Sequence, residues 1–192
     1  MQANRGPRAA SEPNPSFIGK LAAYPKQGDL IMVIRPNSTW SLKTIESFLG
    51  EQLIPIRLAC ISSNSSPVVC SLWYLHAEGA LWCATQRTAK VASYLALQPV
   101  CGFEVAPEAM PYKGVRGQGK VTISQKRGVD VLERLIDRYL GNRESDFARW
   151  LLKRASNEVA IKIEPTWITS WDFSPRMKSS HRSAARAGSG GS

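Results

Sequence analysis

The sequence predicts a mainly β, α+β domain: an antiparallel barrel of six or seven strands with helices packed outside it. Two observations carry this expectation. Short apolar runs between residues 57 and 84 are separated by the turn chemistry of hairpins, which join antiparallel strands. Stretches of helical periodicity are interleaved with the strands and crowd toward the later half of the chain, with no internal repeat. An antiparallel sheet with interleaved helices buries both by closing on itself and packing the helices outside.

The elements follow in order. Leu30 to Ile34 is a short strand-like run ended by Pro36. A helix starts after Trp40: Ser41 can cap it, and Leu42, Ile45, Phe48 and Leu49 share one face. Arg57 to Ser62 is a strand, and Ser63 to Pro67 is turn chemistry. Val68 to His76 is the next strand, Ala77-Glu78-Gly79 a tight turn, and Leu81 to Ala84 a third strand. Thr88 to Gln98 is helical and stopped by Pro99, and Val100 to Val105 is a fourth strand. Tyr112 to Ser124 is a long fifth strand with Gly114, Gly117 and Gly119, glycines that mark a bend or the close approach of a ligand or backbone. Val129 to Leu140 is an amphipathic helix, and Glu144 to Ala155 a further one. Val159 to Ile163 is a sixth strand, and Trp167 to Phe173 continues the sheet after Pro165.

Length allows one well-buried domain, since 192 residues are too few for two ordinary ones. No apolar run approaches the roughly 20 residues needed to cross a bilayer. Residues 1–15 are polar and Pro-rich without the apolar centre of a signal peptide, so the expected compartment is the cytoplasm. The formal charge of +10 points toward nucleic acid until its distribution is read. Residues 1–26 carry +3 and residues 176–192 carry +4, which leaves +3 for the 149 residues between. The basicity sits in the ends, so a nucleic-acid function would work through the tails. The expected organisation is an N-terminal extension over 1–40, partly disordered, an ordered domain over 41–175, and a disordered basic, Gly/Ser-rich tail over 176–192.

Cys60, Cys70, Cys83 and Cys101 form no C-x-x-C pair, and each lies in an apolar segment. With His76 the single histidine before the tail, the chain has no zinc pattern, and the thiols are expected buried and reduced. No acid–base dyad stands out.

The turn Thr85-Gln86-Arg87-Thr88-Ala89-Lys90, where a strand hands over to a helix, carries the clearest chemistry. Two cations, two hydroxyls and the N–H groups of a helix start are what a phosphate needs. The plainer reading is a capped helix, with Thr88 as N-cap and Arg87 and Lys90 solvated.

The ordered set of these segments resembles the pyridoxamine 5′-phosphate oxidase-like superfamily, the flavin-binding split β-barrels. The resemblance rests on Arg57 to Ser62, Val68 to Tyr74, Leu81 to Thr85, the Arg/Thr/Lys turn, and the helix ending before Pro99. It continues through Tyr112 to Val121 and closes on Ile163 to Phe173. It implies an FMN or related flavin at the interface of a homodimer. Carried over position by position, it places Arg57, Ala59 and Cys60 on the first barrel strand beside the cofactor, with Ser71, Leu72 and Trp73 along the ring. It places Thr85, Arg87, Thr88 and Lys90 on the phosphate. Trp167 and Trp171 are candidates to wall the pocket, the plainer reading being core or dimer-interface packing. The C-terminal segment Trp167 to Phe173 lacks the arginine-and-tryptophan substrate signature of the oxidases proper, so vitamin B6 is not the expected substrate. The resemblance thus implies a flavin-dependent oxidoreductase acting on a small molecule. A reductase using the deazaflavin coenzyme F420, and a flavin- or haem-binding module without turnover, are the alternatives. No membrane partner is expected.

Overall fold

The computed structural model describes residues 33–177. The expectations for the two basic tails therefore fall almost wholly outside the described residues. Eight strands form one sheet in the order β3-β2-β6-β7-β8-β5-β4, with β1 attached to β8. The strands are β1 (Val33–Ile34), β2 (Ile56–Ile61), β3 (Pro67–Leu72) and β4 (Leu75–Ala77), then β5 (Ala80–Gln86), β6 (Val100–Val105), β7 (Lys113–Ser124) and β8 (Glu158–Asp172). Every pairing is antiparallel except β1 with β8, and the sheet curls into an open half-barrel, the split barrel expected.

Outside it pack helices α1 (Leu42–Glu51), α2 (Lys90–Leu97), α3 (Gly128–Leu140) and α4 (Asp146–Leu152). A 3-10 turn, Ala155–Asn157, leads into β8. Local chemistry sets their ends. Ser41 Oγ accepts from Thr44 N–H at 3.3 Å, and Ser145 Oγ caps α4 by accepting from Ala148 N–H at 3.2 Å. Gly141, at φ +63°, ends α3 in the left-handed conformation that glycine adopts without a Cβ penalty.

Alternation along the strands builds the core. In β2, Ile56, Leu58 and Cys60 face inward, whereas Arg57, Ala59 and Ile61 face out. Ile45, Phe48 and Leu49 of α1 close one end of this core, and Ile161, Ile163 and Ile168 of β8 run through it. Each fully buried Ile or Leu contributes about 1.5–3 kcal/mol relative to exposure. A second apolar cluster lies on the other side of β5, where Val131 and Leu135 of α3 meet Leu75, Trp82 and Ala160.

The structure departs from the sequence reading at four places. Val68 to His76 is two strands, because the chain leaves the sheet at Trp73-Tyr74. There Tyr74 Oη donates to Leu49 O at 2.9 Å and Tyr74 N–H donates to Tyr139 Oη at 3.3 Å, so side chains and a helix end replace the ladder. Pro165 does not interrupt β8, since it sits beside a register shift opposite Gln118 and Gly119, where a missing N–H is tolerated. The helix expected from Thr88 begins at Lys90, and Thr88 does not cap it: the N-cap position is Ala89, whose N–H donates to Gln86 O at 2.9 Å in the preceding turn. Residues 33–40, expected in the N-terminal extension, pack on β8. Arg35 N–H donates to Ile168 O at 2.9 Å, and Trp40 N–H donates to Ser170 Oγ at 2.8 Å.

The strand glycines mark close approach. A Cβ on Gly114 would stand 2.7 Å from the Trp171 ring and 2.8 Å from Ala106 Cβ. Among the described residues no helix is long and apolar enough to cross a membrane, and no group of three metal-ligating side chains comes together.

Candidate functional site

The break after β3 creates a cleft. Where the chain turns out of the sheet, Trp73 projects toward the helices and lies flat on Tyr139 of α3, ring centroids 4.9 Å apart at an interplanar angle of 5°. Phe147 of α4 meets the same indole edge-on at 6.0 Å. The floor is the end of β5, Ala84 to Gln86, and the far wall is Leu132 and Leu135 of α3 with Leu151 of α4. The cleft is open to solvent and holds about 290 Å³, at the small end of ligand sites. Ser71, Leu72, Trp73 and Thr85, four of the residues singled out in the sequence, line it together.

Two charged residues beside Gln86 were not foreseen. Glu158, the first residue of β8, is buried at 7% exposure, and Gln86 Nε2 donates to its Oε1. Burial pushes this carboxyl above the usual range, with the Gln86 hydrogen bond and the Arg154 charge pulling the other way. Arg154 lies in the same cleft with its guanidinium over the Trp150 ring at 3.8 Å. Its Nε is buried and makes no hydrogen bond. No sequence signal marks either residue: Arg154 reads as one more cation at a helix end, and Glu158 as an acid before an apolar strand.

The turn that follows β5 carries Arg87, Thr88 and Lys90 on its exposed side. Arg87 N–H donates to Asn157 O at 2.8 Å, which ties the turn to the 3-10 segment and fixes it beside the cleft floor. Because Ala89 offers no side-chain acceptor, the first N–H groups of α2 have no side-chain cap. Uncapped N–H groups, the positive end of a helix and two cations make this turn suitable for an anion.

Arg57, Ala59, Trp167 and Trp171 lie elsewhere, on the outer face of the sheet. A groove of about 370 Å³ runs across Arg57 and Ala59 of β2, Gly102 and Glu104 of β6, Gln118 of β7 and Trp167 of β8. Arg57 is held by Ala106 O at 3.1 Å and Glu108 at 3.3 Å, and Trp167 Nε1 donates to Gln118 Oε1 at 2.9 Å. Arg35 and Arg116 stack over Trp167 and Trp171 at 4.6 and 5.2 Å. Arg57 and Ser71 are opposite one another in the β2–β3 register, so groove and cleft adjoin. Cys60 joins neither: its side chain belongs to the core, on the opposite face of β2 from Arg57 and Ala59.

The thiols are held protonated. Burial pushes Cys101 up to about 12 and also raises Cys60, Cys70 and Cys83, so no thiolate nucleophile is on offer near neutral pH.

No family model and no curated protein matches this chain. Solved structures do. A conserved hypothetical protein from Mycobacterium tuberculosis superposes with a TM-score of 0.62 at 22% identity, over 72% of this chain and 88% of that one. An F420 reductase gives 0.55 at 20% identity, over 64% and 94%. A Listeria innocua protein described as a candidate pyridoxamine 5′-phosphate oxidase gives 0.52 at 14% identity, over 67% and 95%. The chain has the pyridoxamine 5′-phosphate oxidase-like split-barrel fold. At these identities the likeness is one of fold, and function is argued from the site. In this split barrel a ring-and-phosphate cofactor fits the residues present. The cleft is largely apolar, it holds a buried donor without a partner, and the phosphate-suited turn follows directly from the strand that forms its floor.

Proposed function

We propose that this chain binds a flavin-type cofactor, FMN or its deazaflavin relative F420, and acts as an oxidoreductase on a small substrate other than pyridoxamine phosphate. The observation that carries the reading is the continuity of the cleft beside Trp73 with the uncapped, cationic turn at Arg87 to Lys90. A flavin supplies the redox chemistry, and the protein has to hold and orient it. Trp73 and Phe147 would wall the ring, and Arg87, Thr88, Lys90 and the α2 N–H groups would hold the phosphate. The absence of a thiolate beside the cleft accords with chemistry carried by a cofactor. The F420 reductase among the structural neighbours favours keeping the deazaflavin as the second ligand. Haem has less support, since His76, the one histidine among the described residues, does not line the cleft.

The outer face supports a homodimer. Val33 and Val69 are 53% and 65% exposed there, beside the Arg57–Trp167 groove, and a second copy would cover them. Sedimentation at micromolar concentration is expected to give about twice 21.2 kDa, and a clean monomer removes the dimer reading.

The deciding experiment is an absorbance spectrum of the purified full chain, alone and after incubation with FMN or F420 and desalting. Retained bands near about 375 and 450 nm identify flavin, and one near about 400–420 nm the deazaflavin or haem. Bleaching by NAD(P)H followed by recovery with an acceptor identifies turnover, whereas retention without bleaching points to a binding module. A chain that retains none of them overturns the reading.

A further inference from the structure

We propose that Arg154 and Glu158 read the imide edge of the ring in the cleft, with Arg154 Nε–H donating to a ring carbonyl and Glu158 accepting from the adjoining ring N–H. This inference rests on the flavin-type reading above and adds a specificity device to it. Four observations carry it.

First, Arg154 Nε is buried without a hydrogen-bond partner, and a buried donor of this kind is rarely left unmatched in a finished site. Second, Glu158 is buried in the same cleft, and among the described residues Gln86 alone hydrogen-bonds it, through Oε1. Its other oxygen remains available to accept. Third, Arg154 and Glu158 form no ion pair with each other, although the positive charge is near enough to act on the carboxyl. A donor and an acceptor held apart in one cleft suit a group that offers an acceptor beside a donor. Fourth, both side chains are fixed. The guanidinium is stacked on Trp150 at 3.8 Å, and Gln86 orients the carboxylate.

The –CO–NH– edge of a flavin or deazaflavin pyrimidine ring has this pattern, one carbonyl oxygen next to one N–H. Because Glu158 is buried, a ring that lacks the N–H leaves its oxygen unmatched, which penalises the wrong ligand more than it rewards the right one.

The test compares lumiflavin, which has the ring and no phosphate, with 3-methyllumiflavin, in which the imide N–H is replaced by a methyl group. Binding to the full chain is followed by quenching of flavin fluorescence. The parent is expected to bind lumiflavin at least about tenfold more tightly than its 3-methyl derivative. Glu158→Ala is expected to erase that preference, and Arg154→Met to weaken lumiflavin about tenfold, with near-UV circular dichroism confirming that the variants are folded. Equal binding of the two ligands by the parent overturns the proposal without any variant. So does an Arg154→Met protein that binds lumiflavin as the parent does. If the parent takes up FMN yet shows no preference, the imide reader alone is wrong. If it binds neither FMN nor lumiflavin, the flavin reading itself falls.

Discussion

The Trp73 indole and the Tyr139 phenol are stacked 4.9 Å apart and within 5° of parallel, and this one contact joins the cleft wall to the scaffold. Tyr139 is itself anchored: its Oη donates to Ile54 O at 3.1 Å and accepts from Tyr74 N–H at 3.3 Å. Arg138, its neighbour on α3, donates to Gly50 O at 2.6 Å and Gln52 O at 2.8 Å, closing the C-terminus of α1. The wall against which a ring would lie is therefore fixed by the first helix as well as by the third.

Tyr139→Phe is expected to keep the stack and lose both hydroxyl bonds. Stability should fall by about 1–3 kcal/mol, since Tyr74 N–H loses its partner. Ligand affinity should change little. Urea unfolding followed by tryptophan fluorescence measures the first, and a titration with FMN the second. Trp73→Ala is the contrasting variant and should lose ligand binding together with stability.

At the phosphate turn, Arg87→Ala and Lys90→Ala should each weaken FMN binding roughly ten- to a hundredfold, as expected for one charge-assisted contact. Riboflavin, which lacks the phosphate, should lose little further affinity in either variant. Both side chains are exposed, so the melting temperature without ligand should barely move. FMN affinities equal to the parent's would place the phosphate elsewhere.

Gly128 opens α3 against the start of β8, where an added Cβ would collide with the backbone carbonyl of Glu158. Backbone cannot yield as a side-chain tip does. Gly128→Ala is therefore expected to cost about 1–3 kcal/mol or more and to displace α3 from the cleft. A melting temperature equal to the parent's would show that the helix can slide.

Glu158 gives a pH signature. Burial holds its folded carboxyl above the unfolded value, so the native state keeps a proton that the unfolded chain has released. This contribution to stability is present below the ordinary carboxylate range and is lost as pH rises from about 4 through the folded value. Glu158→Gln should flatten that part of the profile of melting temperature against pH. An unchanged profile would mean that Glu158 titrates as an exposed acid does.

Much of the fold is written in local pattern. Ser41 and the Ile45, Phe48, Leu49 face define α1, alternation defines β2, and Val131, Leu132, Leu135 and Ile136 define α3. The split of Val68 to His76 is not local: it depends on Tyr74 reaching Leu49 O and the Tyr139 hydroxyl, 25 and 65 residues away. Of four cleft residues, Ser71, Leu72 and Trp73 come from a run that could be read directly as a strand, and Thr85 from the polar turn that follows another. Arg154 and Glu158 were silent for the opposite reason. Their meaning comes from burial, and burial of a charged side chain depends on which helix covers it. Thr88 misled as a cap because the preceding turn, closed by Ala89 N–H on Gln86 O, delays the helix by two residues.

The position of β8 has a bearing on synthesis. The last strand among the described residues sits between β7 and β5, pairing with β7 from Ser124↔Ala160 to Lys113↔Asp172 and with β5 from Gln86↔Glu158 to Leu81↔Ile163. A nascent chain emerging from the ribosome can form hairpins up to β7, yet β5 and β7 keep open edges until residues 158–172 have left the exit tunnel. Closure is thus a late event that joins distant parts of the chain at once, which makes folding slow for its size. A ribosome stalled before β8 would display two unpaired strand edges, the form most exposed to aggregation and to capture by chaperones.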